Sequence, residues 1–240
     1  PVYASLYSLP AREVPLREGF RLEPADYCGI GKNVVIANPN APTGMTVPVA
    51  DIRQLLERDP DRVIVVDEAY VDFGAESCVP LIREHANLLV TQTMSKSRSL
   101  AGGRIGFALG SAELIAGLNR VKYSFNPYNV NRLSLLAGAA AIGDEDYFQA
   151  CCRNVRDNRA WTAETLKKRG FTVLPSYANF IFAKSDRLPG GELYRKLKEN
   201  GILVRWFDKD RIRDFCRITI GSKEQMETLA ERIDRLLAGR

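Results

Sequence analysis

Arg62-Val63-Ile64-Val65-Val66-Asp67-Glu68-Ala69-Tyr70 joins four consecutive β-branched residues to a pair of carboxylates. A strand apolar on both faces belongs in a parallel sheet covered from both sides, because an antiparallel strand with one wet face would alternate. Residues 32–37 upstream and 88–93 downstream have the same character, and 105–109 repeats it more briefly. Between the first two runs, Val49, Ile52, Leu55 and Leu56 recur at helical spacing over 49–58. Strands alternating with helices in this way predict an α/β domain, a mostly parallel sheet sandwiched by helices.

Further along, the pattern changes. Residues 131–142 and 146–168 read as helices, the second very long. Short strands at 179–183, 202–207 and 216–220 then alternate with helices at 192–199 and 223–237. This predicts a large domain over 1–146 and a smaller α+β domain over 147–240. The chain starts at Pro1 in what reads as the middle of a folded unit, so we expect an N-terminal portion ahead of it.

Composition narrows the class. The net charge of +5 comes from 34 basic and 29 acidic residues spread along the chain without a basic block, which argues against a nucleic-acid partner. The cysteines at 28, 78, 151, 152 and 216 form no C-x-x-C pair, and His85 is the single histidine. That inventory predicts neither a disulfide framework nor a metal site and fits a reducing cytoplasm. The apolar runs are strand-sized, far short of the roughly 20 residues of a membrane span, and no signal-peptide pattern is present.

Three motifs fall at the ends of successive strands, where ligands bind in open parallel sheets. They are Asn38-Pro39-Asn40-Ala41-Pro42-Thr43-Gly44, then Asp67-Glu68-Ala69-Tyr70, then Thr93-Met94-Ser95-Lys96 followed by Leu100-Ala101-Gly102-Gly103-Arg104. On its own, Asp67 serves equally well as a helix cap, a salt-bridge partner or the anion for a bound cation. A carboxylate at the rim of a dry strand needs some such partner. Tyr70 reads alone as a half-buried core residue or as a phenol aimed at a ligand. Lys96 is set apart by its place between a Ser/Thr cluster and a glycine-bearing turn, which suits a nucleophilic amine. Arg104, charged at any working pH, suits a phosphate, with Thr93 and Ser95 adding hydroxyls. Neither G-x-G-x-x-G nor G-x-x-x-x-G-K-[ST] occurs, which counts against a nucleotide-binding Rossmann enzyme.

In this order and spacing the motifs resemble the fold-type I, aspartate aminotransferase-like pyridoxal-phosphate enzymes. Thr93 to Arg104 is most similar to the histidinol-phosphate aminotransferase family. The resemblance implies pyridoxal 5'-phosphate as cofactor, carried by Lys96 as a Schiff base. Asp67 would pair with the ring nitrogen, a contact worth roughly 4 kcal/mol at about 4 Å and an effective dielectric near 20. Tyr70 would bond the ring hydroxyl and Tyr3 stack on the ring, while Thr93, Ser95 and Arg104 hold the phosphate. It further implies that Arg217 grips the substrate carboxylate and Arg205 a second anionic group. Read without the family, the two arginines are equally well surface salt-bridge partners.

The expected reaction is a ping-pong transamination by a homodimer, in which Lys96 is both tether and proton carrier. Its partners are a small amino donor, histidinol phosphate, and a 2-oxo acid acceptor, 2-oxoglutarate. Aromatic or broad-specificity aminotransferases, threonine-phosphate decarboxylase and a non-catalytic module on the same fold stay open as alternatives. The chain departs from the family at Ala41, where an asparagine usually precedes Pro-Thr-Gly, so either Asn40 or Asn38 reaches the cofactor instead or Tyr70 acts alone. Gly103 stands where a leucine is common.

Overall fold

The structure is a computed structural model that describes residues 2–239. A short helix, α1 (Val2–Leu6), and a loop with two 3-10 turns precede β1 (Val34–Ala37). Then come α2 (Val49–Arg58), β2 (Ile64–Asp67), β3 (Leu88–Thr93), β4 (Gly106–Gly110), α3 (Ala112–Phe125) and α4 (Arg132–Gly143). The long helix α5 (Glu145–Lys167) leads to β5 (Phe171–Val173), β6 (Phe180–Ser185), α6 (Gly190–Glu199), β7 (Arg205–Trp206), β8 (Phe215–Thr219) and α7 (Lys223–Leu237).

The first sheet has the order β1-β2-β3-β4. Its first three strands are parallel and β4 runs antiparallel to β3. The mixed α/β architecture follows from the connections, since a parallel neighbour requires a crossover and β3 reaches β4 through a loop alone. Val34, Ile36, Ile64, Val66, Leu88 and Val90 point to one face and pack on Ile52, Leu55 and Leu56 of α2, with Tyr27, Cys78 and Leu81 closing the edges. Burying each of these aliphatic side chains contributes roughly 1.5–3 kcal/mol. The other face carries Val35, Val65 and Asp67 by the two-residue alternation of the pleat. Among the described residues this face is less densely covered, and Val35 is 73 % exposed.

The second sheet, β5-β6-β8-β7, is antiparallel throughout. Ile181, Ala183, Cys216 and Ile218 lie in a core with Leu193 and Leu197 of α6 and Met226, Leu229 and Ile233 of α7. A capping box between Ser222 and Gln225 starts α7. The helix α5 touches both halves. Its Phe148 and Cys152 pack on Phe73, beyond β2, whereas its Leu166 enters the second core.

Several elements depart from the expectation. The strand expected over 202–207 contracts to Arg205–Trp206, α1 and β5 were not anticipated, and neither was α3, which fills the stretch after β4. Its apolar Leu118, Val121 and Phe125 remain exposed, so no one-sided burial marks it out. No helix of the described residues is long and apolar enough to cross a membrane.

Candidate active site

Ala37, Asp67 and Thr91 stand side by side in register across β1, β2 and β3. The parallel strands therefore present their carboxyl ends together. Asp67 is exposed there. Its Oδ1 accepts one hydrogen bond, 3.0 Å from the Ala69 amide, and no Lys or Arg lies within ion-pair distance of it among the described residues. This carboxylate has room for a cationic partner. Glu68, one residue on, turns into the interior and is fully occupied. It accepts from the Ser77 hydroxyl at 2.7 Å, the Cys78 amide at 2.5 Å and the Gln92 amide at 2.8 Å.

The loop after β3 is pinned at its base by the Met94 amide on the Ile105 carbonyl, 3.1 Å, and the Leu100 amide on the Met94 carbonyl, 2.9 Å. Thr93 and Ser95 lie hydroxyl to hydroxyl at 2.9 Å, and the Ser95 amide donates to Thr93 Oγ1 at 3.1 Å. Lys96 is exposed, with Nζ 5.5 Å from the centre of the Tyr70 ring. Its neighbour Ser97 is buried and donates to Asp72, two residues past Tyr70, which ties the lysine loop to the tyrosine turn. Ser99 and Arg104 both have a left-handed backbone at φ +53°. A non-glycine residue there costs about 1–3 kcal/mol, and such strain gathers at ligand sites. The Arg104 guanidinium, bonded among the described residues to the Ala101 carbonyl alone at 3.1 Å, is exposed.

The loop after β1 separates the two candidate asparagines. Asn38 is buried and both ends of its amide are taken by the backbone of Val47, at 3.0 and 2.9 Å. It is a loop clamp. Asn40 accepts from Thr43 at 2.9 Å, and among the described residues its NH2 group has no acceptor. Tyr3, 78 % exposed on α1, makes no ring or cation–π pair among the described residues and is not drawn into the cluster.

On the second sheet Arg205 and Arg217 face each other directly in the β7–β8 register. Like charges placed opposite each other are destabilising, and neither arginine has a carboxylate within ion-pair distance among the described residues. Arg217 Nε is buried with no hydrogen-bond partner, although its guanidinium lies over Phe180 at 5.1 Å. Buried polar atoms are rarely left unpaired, so this pair of cations calls for an anion. Phe180 in turn meets the Tyr70 ring edge-on at 5.1 Å and 85°. A continuous line of contacts thus runs from Lys96 through Tyr70 and Phe180 to Arg217.

The donor set fits pyridoxal 5'-phosphate: a carboxylate for a cationic ring nitrogen, a phenol, hydroxyls and a guanidinium for a phosphate, and an amine for the carbonyl carbon. Burial pushes Cys78 and Cys216 up to about 12 and Cys152 to about 11, too high for a thiolate at neutral pH. Sequence reasoning missed Glu68, Asp72, Ser97 and Arg159. Their partners lie 9 to 86 residues away, beyond any local pattern.

Fold and site together define a pyridoxal-phosphate enzyme of the aminotransferase type. Residues 1–233 match the family described as aminotransferase class I and II, and the chain belongs to that family. It is 49 % identical over 237 residues to a histidinol-phosphate aminotransferase of Clostridium botulinum (strain Okra / Type B1), covering 99 % of this chain and 67 % of that one. The chain spans about two thirds of the length of the curated relatives it matches. Among solved structures, the histidinol-phosphate aminotransferase from Clostridium acetobutylicum superposes with a TM-score of 0.91 at 22 % identity, over 100 % of this chain and 75 % of that one. That from Sinorhizobium meliloti in complex with pyridoxal-5'-phosphate gives 0.73 at 24 %, over 85 % and 58 %. At those identities the two structures speak to the fold.

Proposed function

We propose that this chain is the catalytic body of a histidinol-phosphate aminotransferase that passes the amino group of histidinol phosphate to 2-oxoglutarate. The observation that carries this reading is the contact line Lys96–Tyr70–Phe180–Arg217, which sets an amine and an unpaired guanidinium on either side of one aromatic wall. The name of the relatives at about half identity supplies the substrate. Residues 1–146 form the cofactor half and 147–240 the substrate half.

Each residue has a task in this reading. Asp67 would face the ring nitrogen of the cofactor and Tyr70 and Asn40 would donate to its ring oxygen; Tyr3, outside this cluster, would reach the ring only if α1 moved toward it. Thr93, Ser95 and Arg104 hold its phosphate. When bound, pyridoxal phosphate supplies the electron sink for the pair left on the substrate carbon. Lys96 Nζ would hold the cofactor until substrate arrives and, once free, would carry the proton between the substrate carbon and the cofactor. Arg217 would grip a carboxylate of the 2-oxo acid acceptor in a bidentate pair, and Arg205 the second anionic group, the donor's phosphate or the acceptor's other carboxylate. One site thereby accepts a phosphate-bearing donor and a dicarboxylate acceptor in turn.

The apolar residues left open on α3 and α4, among them Val121, Phe125, Leu133 and Leu136, support a homodimer in which a second copy covers them. Five cysteines without a disulfide support a cytoplasmic enzyme. The test is an assay of the full chain with histidinol phosphate, phenylalanine and threonine phosphate. Turnover of the first with 2-oxoglutarate is expected, and in Lys96→Ala both turnover and the visible absorbance of lysine-bound cofactor vanish. Preference for phenylalanine, or carbon dioxide release from threonine phosphate, would replace this substrate with another.

A further inference from the structure

Arg159 lies on α5, at the seam between the two sheets. Its Nη1 donates to the Phe73 carbonyl at 3.0 Å and to the Ala178 carbonyl at 2.6 Å. Phe73 closes the turn that begins at Tyr70, and Ala178 stands two residues before Phe180. One guanidinium therefore ties the backbone beneath each partner of the Tyr70–Phe180 contact. Among the described residues no carboxylate lies within ion-pair distance of Arg159. Burial, with Arg156 nearby, lowers its pKa from the ordinary arginine range. A guanidinium still stays protonated at working pH, so the bonds are charge-assisted.

The surroundings are shaped around it. Gly74 has φ +115°, and a Cβ there would come within 3.2 Å of Arg156 Cδ and 3.8 Å of Arg159 Nη2. On the other side, Ser176 Oγ donates to the Phe180 carbonyl at 2.5 Å and accepts from the Ala178 amide at 3.2 Å, which fixes the loop that Arg159 grips. Asn158, the preceding residue, donates to the Gly221 carbonyl at 3.0 Å, just past the strand that carries Arg217. Leucine or methionine at 159 would fill the volume. Neither would hold two carbonyls from loops that flank different sheets.

We infer that Arg159 is a positioning residue for substrate binding, setting the span between the lysine half of the site and the Arg205–Arg217 half. The inference rests on the reading of Arg217 as the substrate-anion residue. It separates two functions that share one cavity. Cofactor affinity, built from groups on the first sheet, is independent of Arg159, whereas affinity for a dianion anchored on the second sheet depends on it.

The test uses the full chain loaded with cofactor and compares wild type, Arg159→Met and Arg159→Lys. Succinate, a dicarboxylate with no transferable amino or oxo group, is titrated by calorimetry, and cofactor binding is followed by visible absorbance. In Arg159→Met, succinate affinity is expected to fall and KM for both substrates to rise by roughly tenfold to a hundredfold, the scale set by a misplacement of about 1 Å. The cofactor spectrum and affinity stay at wild-type values. Arg159→Lys, which keeps one charged bond, recovers part of the loss and serves as the readout if the methionine variant fails to fold. A lower melting temperature with unchanged succinate affinity overturns the inference, as does loss of cofactor in parallel with succinate. Failure of the underlying reading looks different: wild type would then bind succinate no better than Arg217→Ala, and the inference falls with it.

Discussion

Asp67 and Glu68 are neighbours in sequence with opposite surroundings. The pleat sends one out to the strand-end rim and the other inward to Ser77, Cys78 and Gln92. Asp67→Asn removes a charge worth roughly 4 kcal/mol to a cationic ring, so kcat/KM is expected to fall about a thousandfold. Its melting temperature should stay near wild type, because its one recorded hydrogen bond here is local. Steady-state kinetics and a thermal scan on the same preparation check both halves. Glu68→Ala should do the reverse. It strands buried donors at about 1–3 kcal/mol, seen as a lower denaturant midpoint, while cofactor affinity in the folded fraction is retained. The sequence made Asp67 legible because a carboxylate ending a valine-rich strand is conspicuous. Glu68 was not, since the donors that satisfy it are 9, 10 and 24 residues away. Tyr3 was legible only through resemblance, and its exposed position on α1 shows why no rule of burial would have found it.

At the scale of elements, regular strands and amphipathic helices announce themselves, and very short elements or helices with no buried face do not. The bounds of β3, α2 and α7 agree with the patterns of 88–93, 49–58 and 223–237. The three-residue β5 is too short to show a period, and α3 keeps apolar residues on exposed positions. The loops follow another logic, in which single residues decide. Gly44 has φ +79°, and a Cβ there would sit 2.3 Å from Ser176 Oγ, where the loop after β1 docks on the loop before β6. The Tyr177 amide donates to the Gly44 carbonyl at 2.8 Å across the same junction. Gly44→Ala is therefore expected to destabilise the fold by about 1–3 kcal/mol, from backbone strain and overlap together. Adding Ser176→Ala removes the hydroxyl but leaves a Cβ 2.8 Å away and gives up the bonds to Phe180 and Ala178, so chemical denaturation should find the double variant no more stable than Gly44→Ala.

At the scale of the whole molecule, α5 joins the two sheets, and the ion pair between Arg169 just beyond it and Asp234 of α7 reports on the integrity of the second. The guanidinium of Arg169, bonded to both carboxylate oxygens at 2.7 Å, holds Asp234 below its ordinary pKa. A carboxylate whose pKa is depressed by folding stabilises the fold above its unfolded pKa of about 3.9, and that share is lost as pH falls through the folded value. Because Asp234 is half exposed, the share is about 0.5–1 kcal/mol. Asp234→Asn should thus melt lower than wild type at neutral pH, with the gap closing below about pH 4. That a second sheet follows the first was legible from the change of pattern along the chain. The joint between them was not, because backbone carbonyls leave no trace in sequence. The facing arginines of β7 and β8 have a practical consequence as well. On the proposed role of Arg205 and Arg217, any small oxyanion in solution can neutralise the facing guanidinium groups, so phosphate and sulfate are expected to compete with substrate. The affinity read for a substrate then depends on the buffer salt, and a titration in phosphate records the exchange of one guest for another.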